Sequence, residues 1–145
     1  MEFTLHPQLA KDSYILGNFS LSQLLLINDS QFPWFILVPR KVAITEVFQL
    51  DSNSQQQLWS ESSHLSETVM NLFKGDKLNV AAIGNLVPQL HLHHIVRYKA
   101  DPLWPSPIWG KLPMVAYDFE VVLQIQEKLG RGLQDFEPLT VQKKS

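Results

Sequence analysis

The chain contains no cysteine, which excludes a disulfide framework, a thiolate zinc site and a thiol nucleophile. A cysteine-free sequence fits a reducing compartment, and a cytoplasmic location is expected. Basic charge is not in excess either: the formal net charge is −2. Sequence-independent binding to nucleic acid needs a basic surface that displaces phosphate counterions, so that function is excluded. No apolar run approaches the roughly 18 residues of a membrane span. Met1 to Leu9 carry Glu2, His6 and Pro7, and lack the basic start and apolar run of a signal peptide. Neither nucleic acid nor membrane is expected as a partner.

What is present suits one folded unit. The 145 residues are 45% hydrophobic and 18% charged, enough for a core without metal or disulfide support. The reading is a single domain over 1–145, with a core over about 12–132 and a mobile tail over 133–145. Tyr14 to Asn28 is an apolar stretch divided by Gly17-Asn18, which predicts a hairpin turn there. Trp34 to Val38 predicts a third strand, closed by Pro39. These runs are nearly continuous in apolar residues, the pattern of strands covered on both faces. Asp51 to Ser54 is rich in N-cap residues, and Leu58, Leu65, Val69, Leu72 and Phe73 then follow at helical spacing. A helix over Ser52 to Phe73, ended by Gly75, is predicted.

Lys77 to Ile83 and Leu86 to Tyr98 read as two further strands, and Tyr117 to Leu129 as a second helix. Between them Asp101 to Pro113 holds four prolines and two tryptophans, an irregular packed loop. The order of elements predicts an α+β fold, a five-stranded antiparallel sheet with two main helices.

Three of the five histidines fall within Pro88-Gln89-Leu90-His91-Leu92-His93-His94. On a strand Gln89, His91 and His93 share one face, roughly 7 Å apart per step of two, and Leu90, Leu92 and His94 share the other. Neutral imidazole is a nucleophile toward phosphorus near pH 7. It is equally a metal ligand, or packing in a polar groove, and spacing alone does not choose among these.

The longer segment Gly84-Asn85-Leu86-Val87-Pro88-Gln89-Leu90-His91-Leu92-His93-His94-Ile95-Val96-Arg97 resembles the signature of the histidine triad (HIT) superfamily. Upstream, Leu26-Ile27-Asn28 and Phe32 to Arg40 resemble the family's paired strands, and Lys77 to Val80 resembles the strand before the signature. Asp101 to Gly110 is similar to a segment of a bacterial branch of short HIT proteins. The resemblance implies action on nucleoside 5′-phosphate derivatives, with His91 attacking the α-phosphorus and His93 donating to a non-bridging oxygen. The substrate is then a nucleotide-derived small molecule, no metal or other cofactor is required, and a homodimer is expected. It also implies Asn28, Asn79 and Asn85 as nucleotide-binding positions.

The departures from that signature are specific. Gln89 stands at the first histidine, losing a titratable group but keeping a hydrogen-bonding one in the catalytic set. Leu86 replaces a hydroxyl residue, Asn85 a longer glutamine, and Phe35 a histidine of the third strand. A nucleotide binder without turnover is therefore the rival reading, and a metal-binding protein a third. Trp104 and Trp109 are placed either to stack on a base or to pack the loop. Arg97 and Arg40 either meet phosphate or pair with carboxylates. His6, His64 and Asp101 are not spaced to complete a metal site.

Overall fold

Asp51 accepts the Ser54 N–H at 2.8 Å through its side chain, a side-chain cap that starts the longest element of the chain. In the computed structural model, which describes residues 1–145, that helix is α2 (Ser52–Phe73). The others are α1 (Pro7–Asp12) and α3 (Phe119–Gly132), and the strands are β1 (Ser13–Asn18), β2 (Ser22–Ile27), β3 (Trp34–Pro39), β4 (Lys77–Ala81), β5 (Leu92–Arg97) and β6 (Glu137–Pro138). The strands form one antiparallel sheet in the order β4-β5-β3-β2-β1-β6.

Helical periodicity decides what covers the first face. Leu58, Leu65 and Val69 of α2, with Val122, Ile125 and Leu129 of α3, bury their apolar stripes against Leu16, Leu24, Phe35, Leu37, Leu92 and Val96. The opposite face holds Leu25, Ile27, Trp34, Ile36, Val38 and Ile95, covered by Leu9 of α1 and Ile108 of the proline-rich loop. All six residues of β3 are buried. This two-sided burial is why the central strands read as unbroken apolar runs.

The loop is anchored by one buried ion pair. Arg97 at the end of β5 is 1% exposed and donates through Nε and Nη2 to Asp101 at 2.8 and 3.0 Å. Its guanidinium also lies 5.8 Å from the Phe32 ring centre and 5.7 Å from that of Trp104. Asp101 in turn accepts the amides of Tyr98, Leu103 and Trp104, folding the chain back across the sheet.

Several expectations are corrected. The β1–β2 turn lies at Phe19 to Leu21, where the Phe19 N–H meets Ser22 O at 2.8 Å, while Gly17 and Asn18 remain in the strand. Gly17 serves a close approach instead: a Cβ there would sit 2.3 Å from Glu137 O. The sheet has six strands rather than five because the C-terminal segment returns along β1. That segment is not a loose tail, since Val141 is buried and Lys144 Nζ donates to Ala10 O at 2.9 Å. The two strands expected over Lys77 to Ile83 and Leu86 to Tyr98 are shorter: β4 ends at Ala81, β5 begins only at Leu92, and residues 82–91 between them are irregular.

Candidate active site

A cleft of about 460 Å³ opens on the α1 side of the sheet. Its floor is His91, His93 and Trp34, and its walls are Leu9 and Asp12 of α1, the loop Ile83 to Val87, and Trp109, Gly110 and Met114. Gly84, at φ +65, turns the chain into the first of these loops. Asp12 is the only charged side chain lining the cleft, and no lysine or arginine lines it.

Hydrogen bonds settle the tautomers of the two histidines. His91 Nδ1 lies 2.7 Å from Gln89 O. A carbonyl only accepts, so Nδ1 carries the proton and Nε2 keeps its lone pair. Trp34 Nε1 donates to His93 Nδ1 at 3.0 Å. An indole only donates, so the proton of neutral His93 sits on Nε2. Two imidazoles 4.8 Å apart between centroids are therefore held in opposite tautomers, one offering an acceptor and its neighbour a donor.

Burial keeps both neutral. It lowers the His91 pKa, against the Gln89 carbonyl bond, and the charge of His6 lowers it further. Burial, followed by the charges of His91 and His94, pushes His93 down to about 3. His94 points the other way, to α2, where its Nε2 lies 2.7 Å from Ser62 Oγ, and burial, opposed by a Leu92 carbonyl bond, pushes it down to about 4. Unfolded, each takes a proton near pH 6.5. With folded pKa values depressed, their contribution to stability is complete above pH 6.5 and is lost as pH falls toward 4. His93 and His94 should each cost about 2 kcal/mol at pH 5 relative to pH 7.5. Urea unfolding at the two pH values checks this, and equal free energies would contradict it.

The structure brings together only part of the set expected from the sequence. His91, His93 and Asn85 line the cleft. Gln89 does not face the pair with its amide: its Oε1 accepts from His6 N–H and its Nε2 donates to Thr4 O. Asn79 accepts from Arg97 Nη1 at 3.0 Å, and Asn28 accepts the Tyr117 N–H at 2.9 Å. Both lie outside the cleft lining. Leu86 sits at the rim, 96% exposed. Phe35 faces α2 and the main core, so the third-strand residue at the site is its neighbour Trp34.

Trp104 packs on Arg97, whereas Trp109 packs edge-on against His93 at 5.3 Å and lines the cleft. Leu9, Asp12 and Trp34 were not singled out in sequence. Strand alternation puts Trp34, Ile36 and Val38 on one face, and the pairing of Ile36 with His93 makes it the face of the histidines. No three His, Cys, Asp or Glu side chains come together as a metal-ligating group, and no helix is long and apolar enough to cross a membrane.

The molecule is thus an α+β domain with a six-stranded antiparallel sheet and a His-x-His pair on the floor of an apolar cleft. The HIT domain matches residues 8–100, which include the paired strands, α2 and the histidines. A histidine triad protein from Marinobacter aquaeolei VT8 is 53% identical, with 90% of this chain and 96% of that one covered and a TM-score of 0.88. One from Bradyrhizobium japonicum is 40% identical over 92% and 100%, at a TM-score of 0.90. One from Sinorhizobium meliloti 1021 is 35% identical over 90% and 97%, at 0.89. No curated protein matches the chain. The chain belongs to the histidine triad (HIT) family, a family of nucleotide-binding proteins and nucleotide hydrolases or transferases.

Proposed function

We propose that this protein is a nucleotidyl hydrolase or transferase acting on nucleoside 5′-phosphate derivatives through a covalent nucleotidyl-His91 intermediate. The observation that carries the reading is the pair of opposed tautomers. His91 Nε2, whose lone pair is freed by the Nδ1–H bond to Gln89 O, attacks the α-phosphorus while the bond to the leaving group breaks. His93 Nε2–H, freed by the Trp34 bond to Nδ1, donates to a non-bridging oxygen and stabilises the charge of the transition state. Water or another acceptor then displaces His91 and releases the nucleotide. Splitting one displacement into two is the gain from covalent catalysis.

The rest of the site supports this chemistry without a cofactor. Trp34 and Trp109 exclude water from the histidines, and the apolar walls suit a base and sugar better than a second polyphosphate. Asn85 is the polar side chain of the cleft nearest in sequence to the histidine segment, which supports it as the residue that meets phosphate. Asn28 and Asn79 are engaged in holding Tyr117 and Arg97, which favours structural roles for both. The free edge of β4, with Val80 exposed, supports the homodimer expected from the family resemblance.

Quenching in alkaline denaturant, in which a bond from phosphorus to imidazole survives, during turnover of adenosine 5′-phosphoramidate tests the reading directly. Mass spectrometry should find one AMP group on the peptide carrying His91, labile on warming in acid as a phosphoramidate bond is. Turnover without such an adduct under single-turnover conditions would overturn the covalent mechanism. Binding of AMP with no turnover of any substrate would favour the non-catalytic reading.

A further inference from the structure

The side chain of Gln89 uses both its hydrogen-bonding groups on one short stretch of backbone. Its Oε1 accepts the His6 N–H at 2.8 Å and its Nε2 donates to Thr4 O at 2.9 Å. A primary amide presents donor and acceptor side by side, as a peptide unit does, so it can pair with an extended segment as a neighbouring strand would. Imidazole offers its donor and acceptor in diverging directions and cannot make this pair. The same residue also holds the nucleophile, because its main-chain carbonyl accepts the His91 Nδ1–H.

Little else holds that carbonyl. Residues 82–91 are irregular, and the neighbouring anchor is a single bond from Leu90 N–H to Ile44 O. We propose that Gln89 is a positioning residue, clasping Thr4–His6 through its side chain so that its carbonyl holds His91 in the Nδ1–H tautomer. The amino-terminal segment is then a working part of the site. It continues into α1, whose Leu9 and Asp12 form the cleft wall, so the clasp sets the nucleophile and the wall together. The role of His91 as nucleophile rests on the function proposed above, but its tautomer does not.

The backbone at His6 makes a clean test possible. His6 has φ −56 and ψ 134, which proline adopts without strain, so His6→Pro removes the amide hydrogen of the clasp. His6→Ala removes the same imidazole but keeps that hydrogen. Long-range ¹H–¹⁵N spectra of the full chain read the His91 tautomer, and AMP release from adenosine 5′-phosphoramidate reads turnover. The expected result is a single Nδ1–H tautomer in wild type and a mixture in both His6→Pro and Gln89→Ala. Turnover in His6→Pro should fall about ten-fold below that of His6→Ala, in kcat rather than KM, on the scale of losses from disturbed orienting hydrogen bonds. One unchanged tautomer in His6→Pro and Gln89→Ala, with His6→Pro equal to His6→Ala in rate, would overturn the proposal. A wild type that shows the clasp-dependent tautomer but no turnover would leave the proposal standing and remove the enzymatic reading instead.

Discussion

His91→Ala is expected to lower kcat by on the order of 10⁴-fold or more, the scale of loss when a covalent nucleophile is removed. AMP affinity should change by no more than about three-fold, because the walls and His93 remain. The hydrogen bond between His91 Nδ1 and Gln89 O spends one nitrogen on orientation and leaves the other for attack. Without it, water must displace the leaving group directly, unassisted by a base of matched position. Burial keeps His91 neutral, so the wild-type rate should hold as pH falls somewhat below 6.5. The decisive comparison uses adenosine 5′-phosphoramidate, an aminoacyl adenylate and diadenosine tetraphosphate, with chelator present. Loss of AMP release in His91→Ala alone would assign the nucleophile, whereas equal rates in both proteins would place the chemistry elsewhere. Leu86 supplies no hydroxyl at the rim, so the wild type should be slowest on substrates whose leaving group needs protonation.

Arg97→Ala is expected to destabilise the fold by about 3–5 kcal/mol, a large part of the total for a domain of this size. The side chains of Arg97 and Asp101 are 2% and 3% exposed, so removing the cation strands a carboxylate away from water. The double variant Arg97→Ala with Asp101→Ala should recover part of the loss, since it removes the stranded charge as well. Burial alone would raise the Asp101 pKa. Hydrogen bonds from Arg97 and from the amides of Tyr98 and Leu103, with the charge of Arg97, outweigh it and hold the group at about 2. The folded value lies below the unfolded one, so this contribution is complete above pH 4 and is lost as pH falls through 2. In urea titrations between pH 4 and 8 the difference between wild type and Arg97→Ala should be largest near pH 8 and shrink toward pH 4, because the stranded Asp101 of the variant takes up a proton. A difference under 1 kcal/mol would show that the pair adds little beyond its burial. The same change should loosen Trp109 from His93, because the loop that presents Trp109 is folded around Asp101.

The parts of this fold that are local in origin were readable. The Asp51 cap and the spacing of Leu58, Leu65 and Val69 predict α2 from end to end, and α+β architecture follows from the alternation of strands and helices. The histidines were readable for a similar reason, since His91 and His93 recur at the period of a strand. What failed depends on partners distant in sequence. Gly17 looks like a turn residue, yet its need for a small side chain comes from Glu137. Phe35 and Trp34 differ by one position, and only the pairing of β3 with β5 decides which of them faces the histidines. Leu9 and Asp12 enter the cleft because α1 folds over the sheet, and nothing near them in sequence announces it. The amide of Gln89 reads as part of the catalytic set because it stands at the first histidine of the signature, whereas its partners lie 83 and 85 residues away.

The sheet separates two apolar compartments of unequal size, twenty buried residues on the α2 side and nine on the side of the cleft. Cooperative stability is lodged chiefly in the larger one, which joins both long helices to the strands. The smaller one is roofed by a six-residue helix and a proline-rich loop, and elements with so little buried area open at a fraction of the global free energy. The molecule can thus breathe around a ligand on one side while remaining folded on the other, a division of labour in which the sheet acts as a firewall between recognition and persistence.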